Sequence, residues 1–109
     1  QRTFDKVWDV WQWHDTWGWD FPMVAMTAAR LGRPEKAIDG LMMNIRTNTY
    51  LPNGHNFQDE RLRLYLPGNG GLLATIAMMC NRDDLPTGKT SFPTNGQWKV
   101  KWEGFKKMP

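Results

Sequence analysis

The chain has 109 residues, enough for one ordinary domain, and a formal net charge of +3 from 14 Lys and Arg against 11 Asp and Glu. No dense basic run occurs, so we predict no nucleic-acid partner. A single cysteine excludes an internal disulfide, and no apolar window approaches the roughly 18 residues of a membrane span. The unusual feature is seven tryptophans, four of them in WQWHDTWGWD at residues 11 to 20.

The first half of the chain predicts three helices. Residues 1 to 13 carry apolar side chains at the spacing of one helical face, namely Phe4, Val7, Trp8 and Trp11. Residues 20 to 43 predict two helices joined by a short turn. Pro22 suits the first turn of one helix, Gly32 suits the position after its end, and Pro34 suits the start of the next. This segment is therefore predicted to be an αα-hairpin.

The middle of the chain is rich in turn residues. Residues 44 to 68 favour either a short antiparallel strand pair around His55 or an irregular loop, and a loop of this length is more typical of a functional site. Residues 69 to 80 predict a further helix capped by Asn69. Because this helix is apolar on nearly every side, we expect it to need cover from outside the 109 residues.

The C-terminal segment differs in pattern. Asn95-Gly96 is a strong hairpin-turn signal, and Trp98, Val100 and Trp102 alternate with lysines as in a half-buried strand. We therefore predict a mainly α fold, with helical hairpins over residues 1 to 85 and a β-strand or hairpin tail over residues 86 to 109.

The tryptophan-rich segment suggests sugar chemistry. Sugar sites use aromatic faces for the C–H side of a ring and carboxylates for its hydroxyls, and hydrolysis adds a general acid and a second carboxylate. Trp17 and Trp19 beside Asp15 and Asp20 would supply both. The alternative is structural: Asp20 caps the following helix, while Trp8 and Trp11 belong to the core.

A second polar cluster lies in the middle loop. His55 would donate to a sugar hydroxyl, Glu60 would serve as an acid, and Asn69 opens a helix beside two glycines. The alternative is a solvated turn with a structural histidine. The candidate catalytic residues are thus Asp15, Asp20 and Glu60, and the candidate substrate-binding residues are Trp17, Trp19, Asn53, His55, Asn56 and Asn69.

Other chemistry has little support in the sequence. His14 and Asp15 with His55 and Asp59 match no strong metal-site spacing, so we predict no metal and no cofactor. Cys80 lies in the apolar run LLATIAMMC, where a thiol is poorly activated as a nucleophile.

Four strings carry a family resemblance: WGWDFPMVAMTAARLGRPEKAIDGLM, YLPNGHNF, LYLPGNGGLLATIAMM and WKVKWEGF. Together they resemble the C-terminal part of large bacterial glycoside hydrolases of the six-hairpin, (α/α)6-toroid superfamily, the kind found in polysaccharide-degrading gut Bacteroidetes. The resemblance covers residues 4 to 109. It implies an incomplete toroid whose cleft is lined by the loops at 13 to 20, 50 to 60 and 66 to 71, and a periplasmic or secreted location.

Three functional hypotheses follow. In the first, the chain is a portion of a glycoside hydrolase that binds an oligosaccharide or polysaccharide and hydrolyses glycosidic bonds only with the remainder of the enzyme, or with other chains that complete the toroid. In the second, it is a non-catalytic carbohydrate-binding module that uses its tryptophans. In the third, it is a helical packing segment without sugar affinity.

Overall fold

The computed structural model describes residues 1–109 and contains four α-helices and one two-stranded sheet. The two strands are antiparallel, with Thr49 opposite Phe57. No helix in the structure combines the length and the apolar character that a membrane crossing requires. A mainly helical fold is confirmed. In chain order the elements are α1 (Arg2–Val10), a 3₁₀ turn (Trp13–Asp15), α2 (Asp20–Arg30), α3 (Pro34–Leu41), a second 3₁₀ turn (Arg46–Asn48), β1 (Thr49–Tyr50), β2 (Asn56–Phe57) and α4 (Leu66–Cys80).

The junction between α2 and α3 follows the prediction from sequence. Gly32 has a φ of +70°, a conformation that side chains rarely adopt. Its N–H donates to the Ala29 carbonyl and the Arg33 N–H donates to the Ala28 carbonyl, which is the Schellman pattern. Because Pro34 then opens α3, the predicted αα-hairpin is confirmed.

Helix α2 is the centre of the fold and contacts both α3 and α4. Near its start, the Pro22 carbonyl accepts a hydrogen bond from Thr75 of α4. Near its end, the Ala29 carbonyl accepts one from Arg82, just past α4. Helices α2 and α4 therefore run parallel, while α3 returns antiparallel to α2. The core around them consists of Phe4, Val24, Ala25, Ala28, Ala29, Ala37, Met79, Cys80 and Phe92.

Helix α4 begins three residues before the predicted start, at Leu66. Pro67 fits the first turn because its missing N–H would have no partner there, and Asn69 lies inside the helix, not at its cap. The helix is apolar on all sides, yet Leu66 is 64% exposed and Leu73 is 71% exposed.

The predicted C-terminal β-hairpin is wrong. No strand forms between residues 86 and 109, because a strand needs a hydrogen-bonded neighbour and no segment of the chain supplies one beside Trp98–Trp102. The tail is attached at the end of α4 instead. The buried Arg82 donates to the Ser91 hydroxyl at 3.0 Å, and the Met108 N–H donates to the Asn81 carbonyl at 3.2 Å.

The close contact between α2 and α4 gives a stability prediction. A Cβ at Gly71 would lie 2.6 Å from Cγ of the rigid Pro22 ring, whereas a Cβ at Gly70 would meet nothing within 4 Å. Gly71→Ala should lower the free energy of unfolding by about 1 to 2 kcal/mol because the helices must separate. Gly70→Ala should raise it by about 0.5 to 1 kcal/mol through helix propensity. Urea denaturation measures both, and equal shifts of the two variants would contradict the close approach.

Candidate functional site

Three segments meet beside the start of α2: the turn at residues 11 to 19, the loop at residues 44 to 65 and the first helical turn of α4. The Gly18 N–H donates to Oε1 of Gln58 at 2.7 Å, which joins the first two. The Asn56 N–H donates to Oδ1 of Asn69 at 2.9 Å, which joins the second to α4. Segments far apart in sequence are thus held in one place.

Two buried amides form the centre of this junction. The Nδ2 group of Asn56 donates to the carbonyls of Thr47 and Thr49, and its Oδ1 accepts from Nε2 of Gln58 at 3.1 Å. Asn56 has no exposed surface. The assignment of Asn56 to substrate binding is therefore corrected: its hydrogen-bonding groups are used inside the chain, and it positions the loops.

Two glycines allow the backbone to reach these amides. A Cβ at Gly18 would lie 2.0 Å from Oδ1 of Asn56, and a Cβ at Gly68 would lie 1.9 Å from the same atom. Neither position can carry a side chain without displacing the amide. This explains a glycine inside an otherwise aromatic segment, and another in the first turn of a helix.

A polar cleft of about 270 Å³ opens next to the junction. Trp17 is 54% exposed and forms an aromatic wall. The carboxylate of Asp15 lies 3.3 Å from Nε2 of His14, and both side chains are largely exposed. The full lining is His14, Asp15, Thr16, Trp17, Arg46, Thr47, Gln58 and Asp59.

The cleft offers both donors and acceptors to a ligand. Arg46 donates one N–H to the Gln58 carbonyl at 2.8 Å and is in no ion pair. Asp59 accepts the backbone N–H groups of Arg61 and Leu62 through Oδ1. The Thr47 hydroxyl is buried and has no hydrogen-bond partner in the chain. A buried hydroxyl without a partner costs stability.

Asp20 has neither of the two places that the sequence suggested, a catalytic position or the cap of the following helix, because it is the first residue of α2 and the cap residue is Trp19. Asp20 is 8% exposed and does not line the cleft. Its Oδ2 accepts the Trp17 N–H at 2.8 Å, so it reaches back from the first helical residue and fixes the turn that carries the tryptophan. Burial, with a smaller contribution from the Asp20 charge, raises the pKa of Tyr65. The Tyr65 ring packs on Trp17 with centroids 5.8 Å apart.

The other candidates lie outside the cleft lining. Glu60 is exposed and pairs with Arg63 at 2.6 Å on a surface turn. Asn53 accepts the His55 N–H at 3.1 Å within the turn at Gly54. Asn69 has both ends of its amide engaged, since Nδ2 also donates to the Gly54 carbonyl at 2.7 Å.

Trp19 is exposed but lines no part of the cleft. Of the proposed catalytic carboxylates, the cleft contains Asp15 alone.

Sequence reasoning missed Arg46, Thr47 and the structural role of Gln58. Arg46 and Thr47 follow the end of α3 in a short polar run, NIRTNTY, which has no motif of its own. The glycine at residue 18 was the available signal, because a glycine among bulky residues indicates a close backbone approach. It could not indicate the partner, which lies 40 residues away.

The structure has no arrangement of side chains typical of a metal site or of an activated nucleophile. No group of three or more His, Cys, Asp or Glu side chains is placed to hold a metal ion. Burial raises the pKa of the Cys80 thiol, so Cys80 is a core side chain and not an activated nucleophile.

Comparisons with protein-family models, with curated proteins and with solved structures found no match to this chain. The geometry of the loops and the cleft is therefore the basis for any functional assignment.

The buried amide junction gives a second stability prediction. Nε2 of Gln58 donates to the Thr47 carbonyl at 2.8 Å. In Gln58→Glu, a carboxylate oxygen would face that carbonyl inside the protein, and we expect a loss of about 3 kcal/mol in unfolding free energy at neutral pH. Gln97→Glu makes the same change on the exposed tail and should shift stability by less than about 0.5 kcal/mol. Equal denaturation midpoints for the two variants would show that the junction does not hold the loops.

Proposed function

We propose that this chain is a portion of a glycoside hydrolase, that it lines a glycan-binding cleft, and that it hydrolyses glycosidic bonds only within a larger enzyme. The observation that carries the proposal is the composition of the cleft. An exposed tryptophan face at Trp17 lies beside the carboxylates of Asp15 and Asp59 and the free N–H groups of Arg46. A pyranose ring has one apolar face and a rim of hydroxyls, and this set offers a surface for each.

The rigidity of the cleft wall supports binding. Trp17 is held through its backbone by Asp20 and through its ring by Tyr65. A side chain that is already fixed loses little conformational entropy when a ligand stacks on it. The carboxylate of Asp20, predicted to be catalytic, thus contributes to binding through Trp17.

The helix arrangement supports the larger enzyme. Helices α2 and α4 run parallel with α3 antiparallel to α2, which is the alternation that successive αα-hairpins of an (α/α)6 toroid require. The apolar α4 exposes Leu66 and Leu73. Further helices of the same enzyme would cover them, and they would bring the second carboxylate that hydrolysis needs.

The second candidate is a non-catalytic carbohydrate-binding module. It is favoured by one observation: Asp15 is the only proposed catalytic carboxylate at the cleft, and Asp20 and Glu60 have structural or exposed surface roles. Both candidates share the sugar-binding surface and differ in whether the chain takes part in chemistry.

Sugar binding has a direct test in Trp17→Ala. The stacking face is lost, and we expect the affinity of the 109-residue chain for its best glycan on an array to fall about tenfold, equivalent to about 1.4 kcal/mol. Trp98→Ala removes an exposed tryptophan far along the chain in the tail and should leave the affinity unchanged. Circular dichroism checks that both variants keep their helices. If no glycan binds, or if the two variants lose affinity equally, the proposed cleft is not a sugar site.

Catalysis by the isolated chain has its own test. Because hydrolysis needs a general acid and a second carboxylate at a defined separation, we expect no release of reducing sugar from any polysaccharide that the chain binds. A heat-denatured sample sets the background. Turnover by monomeric chain that disappears in Asp15→Asn would contradict the requirement for a larger enzyme while keeping the sugar site.

A further inference from the structure

The C-terminal tail contains a stretch whose backbone has no partners. No backbone N–H or carbonyl of residues 98 to 104 takes part in a hydrogen bond within the chain. The same stretch has the two-residue alternation of a strand, with Trp98, Val100 and Trp102 separated by lysines. A row of free backbone donors and acceptors on such a segment is a template for an added strand.

One side of this stretch is fixed to the protein. Val100 packs against the hydrophobic core. Trp98 lies against Phe92 with ring centroids 5.6 Å apart, and Trp102 stacks on Phe105 at 6.1 Å. The apolar side chains therefore have neighbours in the tail and the core, while the backbone between them has none. The part of the segment around Trp98 and Val100 is held in place before any partner arrives, which reduces the entropy lost on binding.

The charge of the tail defines the chemistry of the partner. Residues 86 to 109 contain a single acidic side chain, Glu103, and all their lysines are exposed. These lysines are Lys89, Lys99, Lys101, Lys106 and Lys107. Acidic residues opposite Lys99 and Lys101 would stabilise the pairing with an added strand, and basic residues at the same positions would destabilise it.

This charge pattern disfavours a second copy of the chain. An antiparallel pair of two such segments centred on Val100 would place Lys99 of one copy opposite Lys101 of the other. Like charges directly opposite each other are destabilising in a sheet.

We propose that residues 98 to 103 are a docking edge for a β-strand whose apolar residues alternate with Asp or Glu, contributed by another polypeptide segment and held by backbone hydrogen bonds together with charge pairing to Lys99 and Lys101. This edge is separate from the cleft around Trp17 and does not depend on sugar binding.

The test uses a fluorescent nine-residue peptide of alternating Val and Glu and the full 109-residue chain, with affinity measured by anisotropy at low salt. Lys99→Glu with Lys101→Glu should weaken binding about tenfold, because two attractive cross-strand pairs become repulsive. It should also create binding to the matching peptide of alternating Val and Lys. Lys106→Glu with Lys107→Glu makes the same change in net charge outside the edge and should alter affinity less than about twofold.

A second probe separates strand pairing from charge attraction alone. The Val-Glu peptide N-methylated at alternate residues keeps its charge but loses the donors of one edge, and its binding should be lost. Equal binding of the methylated peptide, or equal loss in the two double-lysine variants, would overturn the proposal. The proposal would also be overturned if the chain did not bind the peptide but bound an acidic polysaccharide through Trp98 and Trp102. Dimers in sedimentation that Lys99→Glu disrupts would overturn it as well.

Discussion

The arrangement of the loops depends on two buried amides, Asn56 and Gln58. Both lie on or next to the two-residue strand β2, which is too short to hold its own position. Their side chains bond to the Thr47 carbonyl and to the Gly18 N–H. A buried polar group without a hydrogen-bond partner destabilises the fold, so the network has one low-energy arrangement. That arrangement fixes where the turn with Trp17 stands relative to the loop with Arg46, and so fixes the cleft.

The same network sets requirements on residues that carry no chemistry. Gly18 and Gly68 approach Oδ1 of Asn56 from different segments, and neither leaves space for a Cβ. Asn69 extends the connection from Asn56 to the Gly54 carbonyl. The polar residues of the middle loop, which looked like ligands in the sequence, are largely engaged with the chain itself. The residues free to meet a ligand are at the edge, where Trp17, Asp15 and Arg46 lie.

The elements that could be predicted from sequence are those defined by neighbours along the chain. The αα-hairpin follows from Pro22, Gly32 and Pro34, each of which acts within one turn of its position. Asn56 and Gln58 act across distances of up to 40 residues, and a single sequence does not reveal which carbonyl an amide will reach. The strand prediction for the tail was wrong for the opposite reason. Its local pattern is that of a strand, but a strand is completed by a partner, and the 109 residues contain none for it.

The distribution of carboxylates bears on how the proposed glycoside chemistry would divide between binding and cleavage. Asp15 is largely exposed at the cleft, 3.3 Å from Nε2 of His14, and no second carboxylate of the proposed catalytic set lies beside it. Asp20 is buried outside the cleft lining and accepts the backbone N–H of Trp17, so its carboxylate fixes the turn that carries the tryptophan. Neither carboxylate has in this cleft the second carboxylate that hydrolysis requires from the proposed catalytic set. Asp15 lies beside the Trp17 face and Asp20 holds its backbone, so in the proposed function these two residues serve sugar binding, and cleavage depends on the rest of the larger enzyme.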